Sequence, residues 1–135
     1  MSGVELSRLA PFQLFDGLSQ QELAFVAKNC TETTVPSGAI LIQQGQVGKD
    51  VYLLEEGSVR VFRGEVDSPK VLAEVQAPTI LGELALLDAA RIRTSSVSAL
   101  SELRLLSIPI DTFLILTATY PSVKKKLREL IAARR

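Results

Sequence analysis

Apolar positions along this chain change their period twice. Over the first 15 residues Val4, Leu6, Leu9, Phe12, Leu14 and Phe15 recur at loosely helical spacing, interrupted by Pro11, and Asp16-Gly17 marks a turn. Ser19-Gln20-Gln21-Glu22 has the Ser-x-x-Glu form of a capping box ahead of Leu23, Phe25, Val26 and Ala27, which predicts a helix over about 19–28. From Thr31 the period shortens to that of strands. Runs at 31–35, 39–43, 51–55, 58–63, 70–75, 94–99 and 102–108 alternate with turn signals such as Pro36-Ser37-Gly38, Glu56-Gly57 and Asp67-Ser68-Pro69. After Pro109 the helical period returns. Ile110–Leu116 reads as a helix capped by Asp111 or Thr112, and Tyr120-Pro121 ends it, because a residue before proline avoids helical dihedrals. Ser122 is the candidate cap of a last helix on which Val123, Leu127, Leu130 and Ile131 form one stripe.

Many short strands punctuated by Gly and Pro, with helices only at the two ends, predict a mainly β fold with flanking helices, a sandwich or a barrel. The 135 residues suit one domain: helices over 1–30, strands over 31–109 and helices over 110–135. No apolar run approaches the ~18–20 residues of a membrane span, and the N-terminus lacks the basic start and apolar stretch of a secretory signal. Cys30 is the single cysteine, so no internal disulfide forms and a cytoplasmic setting is expected. Cys30 itself reads as a buried small hydrophobe.

With no histidine, a Ser-His or Cys-His dyad and an imidazole metal ligand are excluded, and one thiolate cannot build a metal site. The carboxylates show no pairing pattern. The expectation is therefore no enzyme, no metal and no cofactor. Charge is balanced overall but uneven: Lys124, Lys125, Lys126, Arg128, Arg134 and Arg135 against Glu129 leave residues 121–135 at +5. A solvated helix face whose cations complement a helix C-terminus accounts for this.

The chemistry concentrates in 81–97. Gly82 allows close backbone approach, and Glu83 leads into Leu84-Ala85-Leu86-Leu87, good helix formers whose first-turn amides could receive an anion. Arg93 offers a permanently charged planar fork suited to phosphate, and Thr94, Ser95 and Ser96 follow it with hydroxyls. Glu83 would repel a phosphate but could accept from a neutral sugar hydroxyl beside it. A phosphate and a sugar hydroxyl on one small molecule describe a nucleotide.

Gly82-Glu83-Leu84-Ala85-Leu86 followed by Arg93-Thr94-Ser95-Ser96-Val97 resembles the phosphate-binding cassette of cyclic nucleotide-binding domains. The family includes protein kinase A and G regulatory regions, cyclic-nucleotide-gated channels and the bacterial cAMP receptor protein. The eleven-residue step from Gly82 to Arg93 matches the bacterial receptor's spacing, and Ile92 stands where the kinase pattern has proline. Pro36-Ser37-Gly38, Gly45 and Val51–Val59 resemble the family's double-stranded β-helix, or jelly roll. Gly57 would mark a tight hairpin and Gly45 a turn near the sugar-phosphate. Residues 1–30 resemble its N-terminal helical bundle, and 110–135 its B and C helices.

The resemblance implies a regulatory module that binds cAMP, or cGMP, through Gly82, Glu83, Leu84, Ala85, Arg93, Thr94 and Ser95. Arg93 is the only full positive charge expected inside the site, and Arg91 is read as an ordinary surface ion-pair partner. The last helix would cover the base with Leu127, Leu130 or Ile131 and carry the signal to a separate effector protein or a fused effector domain. Family frequency favours cAMP, while the Thr94 hydroxyl could serve a guanine amino group. The chain is too short beyond Lys126 for a DNA-binding helix-turn-helix, and a monomer or weak dimer is expected. The runner-up reading is a degenerate jelly roll that associates with other proteins without nucleotide. A cupin-like enzyme comes third, disfavoured by the missing histidines.

Overall fold

The computed structural model describes residues 4–87 and 89–134, with the side chains of Leu87 and Arg134 also outside the described part. Met1–Gly3, Asp88 and Arg135, which enter the N-terminal, cassette and charge readings above, therefore lie outside the described residues. Eight strands form two four-stranded antiparallel sheets: β1 (Thr31–Val35), β2 (Ile40–Ile42), β3 (Asp50–Glu56), β4 (Ser58–Arg63), β5 (Lys70–Gln76), β6 (Thr79–Leu81), β7 (Ser96–Ala99) and β8 (Leu103–Pro109). One sheet runs β1-β8-β3-β6 and the other β2-β7-β4-β5, so most neighbours in each are distant in sequence. The fold is the expected jelly roll with flanking helices.

Ser19 caps α1 (Gln20–Lys28) as the sequence predicts. Its Oγ accepts from the Glu22 amide at 3.2 Å, and the Glu22 carboxylate accepts from the Ser19 amide at 2.9 Å. A cap of this type contributes about 1 kcal/mol. Ahead of it the broken pattern around Pro11 forms two short 3-10 helices, Leu6–Leu9 and Gln13–Phe15. Cys30 is buried, its thiol bonded to the Val26 carbonyl at 3.4 Å, and burial pushes its pKa up to about 12.

Two apolar layers account for the strand patterns. β8 is buried on both faces: Leu103 and Leu105 point between the sheets, while Leu106 and Ile108 meet the helices. β3 behaves alike, with Leu54 turned into the roll and Val51 and Leu53 turned towards the helices. β5, at the edge of the second sheet, is exposed along most of its length. Gly57 closes the β3–β4 hairpin at φ +107°, where an added Cβ would stand 2.5 Å from the Glu102 carbonyl oxygen. Only glycine meets both demands at that position.

Both C-terminal caps differ from expectation. α2 (Ile110–Thr119) starts directly from Pro109, without a side-chain cap. Its Asp111 instead lies in the first turn, where it favours the helix dipole, and pairs with Arg91. α3 (Pro121–Arg134) begins at Pro121, and the Tyr120 carbonyl accepts from the amides of Val123 and Lys124. Ser122 thus sits inside the first turn rather than capping it. Proline suits that first helical position because its missing N–H has no partner to lose there.

Candidate functional site

Arg93 is held from both sides by the loop between β2 and β3. Its amide donates to the Gln46 carbonyl at 2.8 Å, and its carbonyl accepts from the Gly45 amide at 2.9 Å. The side chain is 6% exposed, with Nη1 donating to the Gly82 carbonyl at 3.1 Å and Nη2 to the Asp50 carbonyl at 2.7 Å. None of the ion pairs found among the described residues uses it. Burial pulls its pKa below the ordinary arginine value, opposed by Tyr52, Asp50 and Glu83. The guanidinium stays charged, but carbonyl dipoles replace its water and an anion in contact with it would lower the cost of burial.

Two glycines make room for this group. A Cβ on Gly82, whose φ is +83°, would stand 2.6 Å from Nη1. A Cβ on Gly48 would stand 2.8 Å from Cζ and Nε. The sequence assigns Gly48 only to a turn; its closeness to Arg93 comes from the loop's path, with the Gly48 amide donating to the Arg91 carbonyl at 2.7 Å.

Gly82, Glu83, Leu84, Ala85, Arg93, Thr94 and Ser95 all line one cavity of about 410 Å³. Gly82 follows β6, and Glu83 opens the 3-10 helix Glu83–Leu87. Glu83 is buried at 3% exposure, and its charge acts on the Arg93 guanidinium. Thr94 is exposed and Ser95 half-buried. The third hydroxyl, Ser96, is turned away to structural use, accepting from the Gln44 amide at 2.9 Å. The cassette thus brings a cation, a carboxylate and two hydroxyl-bearing residues to the lining of one cavity that is partly open to solvent. Arg91, two residues before Arg93, takes a left-handed φ of 58° and spends its charge on Asp111, as the surface ion-pair reading expects.

The model of the cyclic nucleotide-binding domain matches residues 32–120. The chain belongs to this family. It is 30% identical over 127 residues, 94% of the chain, to a cyclic nucleotide-gated potassium channel of Rhizobium etli. It is also 30% identical over 122 residues, 90% of the chain, to the cyclic AMP receptor protein of Thermus thermophilus. The chain spans 34% of the first and 56% of the second. Among solved structures it resembles the regulatory domain of Toxoplasma gondii PKA crystallised with cAMP. That match has a TM-score of 0.81 at 26% identity and covers 95% of this chain and 48% of that one. No helix among the described residues is long and apolar enough to cross a membrane.

For a cyclic nucleotide-binding domain the rest of the cavity is as informative as the cassette. An apolar wall comes from the second sheet, with Val61 on β4 and Leu72, Ala73 and Val75 on β5. The sequence contained a trace of it, since β5 carries apolar residues on both faces although it is an exposed edge strand. Arg63 at the end of β4 also borders the cavity, its Nε donating to the Thr94 carbonyl at 3.1 Å. Arg93 is the buried cation of the site, and Arg63 adds an exposed positive charge at its border.

The three residues expected to cover a base do not border this cavity in the structure. Leu127 and Ile131 are each 8% exposed and join Val123 in the core beneath the helices. Leu130 lines a different cavity of about 480 Å³, between Phe12–Leu14, β6 and α3. The stripe is turned inward because burying each such side chain is worth about 1.5–3 kcal/mol. Among the described residues of α3, Ala133 borders the cassette cavity.

Proposed function

We propose that the cassette cavity binds a cyclic purine nucleotide, cAMP or cGMP, and that the domain is a regulatory binding module rather than an enzyme. The observation that carries this is Arg93: a buried guanidinium bonded to two carbonyl oxygens at the edge of a 410 Å³ cavity. In this reading the cyclic phosphate pairs with Arg93 and with the hydroxyls of Thr94 and Ser95, Glu83 accepts from the ribose 2′-OH, and the base lies along Val61, Leu72 and Val75. Gly82 keeps the backbone close to the ligand, and Leu84 and Ala85 close the wall behind it.

The readout in this proposal runs through the C-terminal helices. α3 reaches the cavity at Ala133, so a ligand that favours one position of its end shifts the helix by differential affinity. A cytoplasmic setting and an effector, either a separate protein or a fused domain, belong to the same proposal. Calorimetric titration with cAMP and cGMP tests the site. Arg93→Ala is expected to weaken binding roughly ten- to hundredfold by removing a charge-assisted pair, with Arg91→Ala nearly unchanged. Equal losses from both variants would reject Arg93 as the anion clamp. Hydrogen exchange tests the readout: amides of 123–133 are expected to slow when nucleotide is added, and unchanged exchange would make α3 static packing.

A further inference from the structure

We propose that the second cavity, bordered by α3, is a binding site for a free α-amino acid with a bulky apolar side chain. The cavity measures about 480 Å³, within the roughly 300–1,000 Å³ usual for small-molecule sites. Its buried lining is apolar: Phe12 and Leu14 from the N-terminal segment, Leu53 on β3 and Ile80 on β6. Leu130 adds an apolar side chain from α3. The same helix brings two charges to the cavity, half-buried Lys126 and exposed Glu129. Neither takes part in the ion pairs found among the described residues. Among the described residues, none lines both this cavity and the cassette cavity.

The ligand class follows from the spacing of those charges. Lys126 and Glu129 stand three residues apart on α3, which makes them neighbours on one helix face with Cβ atoms about 5–6 Å apart. Leu130, four residues after Lys126, lies on that face as well. A monocarboxylate placed here would gain Lys126 and be repelled by Glu129, and an amine would meet the reverse. A neutral apolar molecule would take water from both charges and return nothing to either. An α-amino acid carries its carboxylate and its ammonium on the same carbon. Each group then meets its opposite charge on the helix, in the stronger, charge-assisted class of hydrogen bond. The side chain enters the space lined by Phe12, Leu14, Leu53 and Ile80, where burial of apolar surface supplies the rest of the drive.

The chain contains no tryptophan, so free L-tryptophan serves as its own fluorescent probe. Titrating the full chain into L-tryptophan is expected to raise its anisotropy saturably and to shift its emission to shorter wavelength as the indole leaves water. N-acetyl-L-tryptophan lacks the ammonium and L-tryptophanamide lacks the carboxylate; each is expected to bind about three- to tenfold more weakly. In Glu129→Gln the penalty on the acetyl analogue should vanish, and in Lys126→Gln the penalty on the amide, because each variant removes the partner of the deleted group. Glycine, with both charges and no side chain, is expected to compete at least about tenfold more weakly. A flat titration up to the solubility of tryptophan overturns the proposal. So does equal affinity for tryptophan and both analogues, which would make the cavity an unselective apolar hollow. Tighter binding of the acetyl analogue overturns it in favour of a site for organic anions. Penalties that persist unchanged in both variants overturn it too, since they place the amino acid elsewhere on the protein. Titration of the same samples with cAMP reads the cassette separately, so a failure here leaves the nucleotide reading intact.

Discussion

Arg8 and Arg93 are the same residue type put to opposite use. Arg8, on the first 3-10 helix, donates from Nε to one Glu55 oxygen at 2.9 Å and from Nη2 to the other at 2.5 Å, and it also pairs with Glu32. The two carboxylates raise its pKa above the ordinary arginine value, while burial lowers that of Arg93. Arg8 is thus neutralised within the fold and pins the N-terminal segment to β1 and β3. Arg93 is more deeply buried, yet its two hydrogen bonds go to carbonyl dipoles. An arginine saturated by carboxylates is a fastening. One held by carbonyls beside a cavity is ready for an anion from outside.

The largest way to break this comparison is Arg8→Ala. The pair with Glu55 is only partly screened, with side chains 23% and 14% exposed. Its loss leaves Glu55 without its principal partner, so thermal or denaturant unfolding is expected to show a loss of about 2 kcal/mol, between the values for surface and buried pairs. Nucleotide affinity is expected to stay within about twofold, below the resolution of a 1.4 kcal/mol decade. A change confined to affinity would contradict the division of labour.

Gly48→Ala approaches Arg93 from the other direction. Its methyl group would stand 2.8 Å from the guanidinium and displace it while leaving the charge in place. Affinity is expected to fall about tenfold, near 1.4 kcal/mol. Because the guanidinium is buried and held by the Gly82 and Asp50 carbonyls, displacing it also breaks buried hydrogen bonds, and a lower melting temperature is expected beside the loss of affinity. Unchanged affinity would mean that the guanidinium's position is unimportant to binding.

Glu83 sharpens the account on the sugar side. A 2′-deoxy cyclic nucleotide is expected to bind the native protein more weakly by about 1 kcal/mol, the scale of one hydrogen bond. In Glu83→Gln that penalty should shrink. A deoxy penalty of equal size in both proteins would remove Glu83 from the ribose. The smallest effect belongs to Arg60, whose pair with Glu74 at 2.8 Å has side chains 40% and 54% exposed. Arg60→Ala is expected to cost under about 0.5 kcal/mol in chemical denaturation. A cost as large as that of Arg8→Ala would show that burial does not separate these arginines.

Much of the molecule was legible in the sequence because its determinants are local. A capping box needs residues three apart, so Ser19 and Glu22 announce α1 without help from the fold. Strands β4 and β8 follow from alternating or doubly apolar runs, and β1 from its β-branched Thr and Val residues ahead of Pro36 and Gly38. The cassette from Gly82 to Ser95 lies within one short stretch, and its residues do line one cavity. Three-residue β6 was missed because its Thr-Ile-Leu run is too short to carry a period.

What the sequence determined by itself was therefore the order of the elements apart from β6, the mainly β class and the family resemblance carried by the stretch from Gly82 to Ser95. Only the tertiary structure decided which side of each element faces the cavity. The stripe on α3 announces an apolar face but not its partner, and packing turned Leu127 and Ile131 into the core, leaving Ala133 at the site. Gly48 reads as a turn until the β2–β3 loop passes beside Arg93. Arg63 reads as a polar strand end until β4 pairs with β7 and brings it to Thr94, 31 residues away in sequence. The reason is the same in each case: the side-chain period states that a face is apolar or charged, while the long-range antiparallel pairing of a jelly roll selects what that face meets.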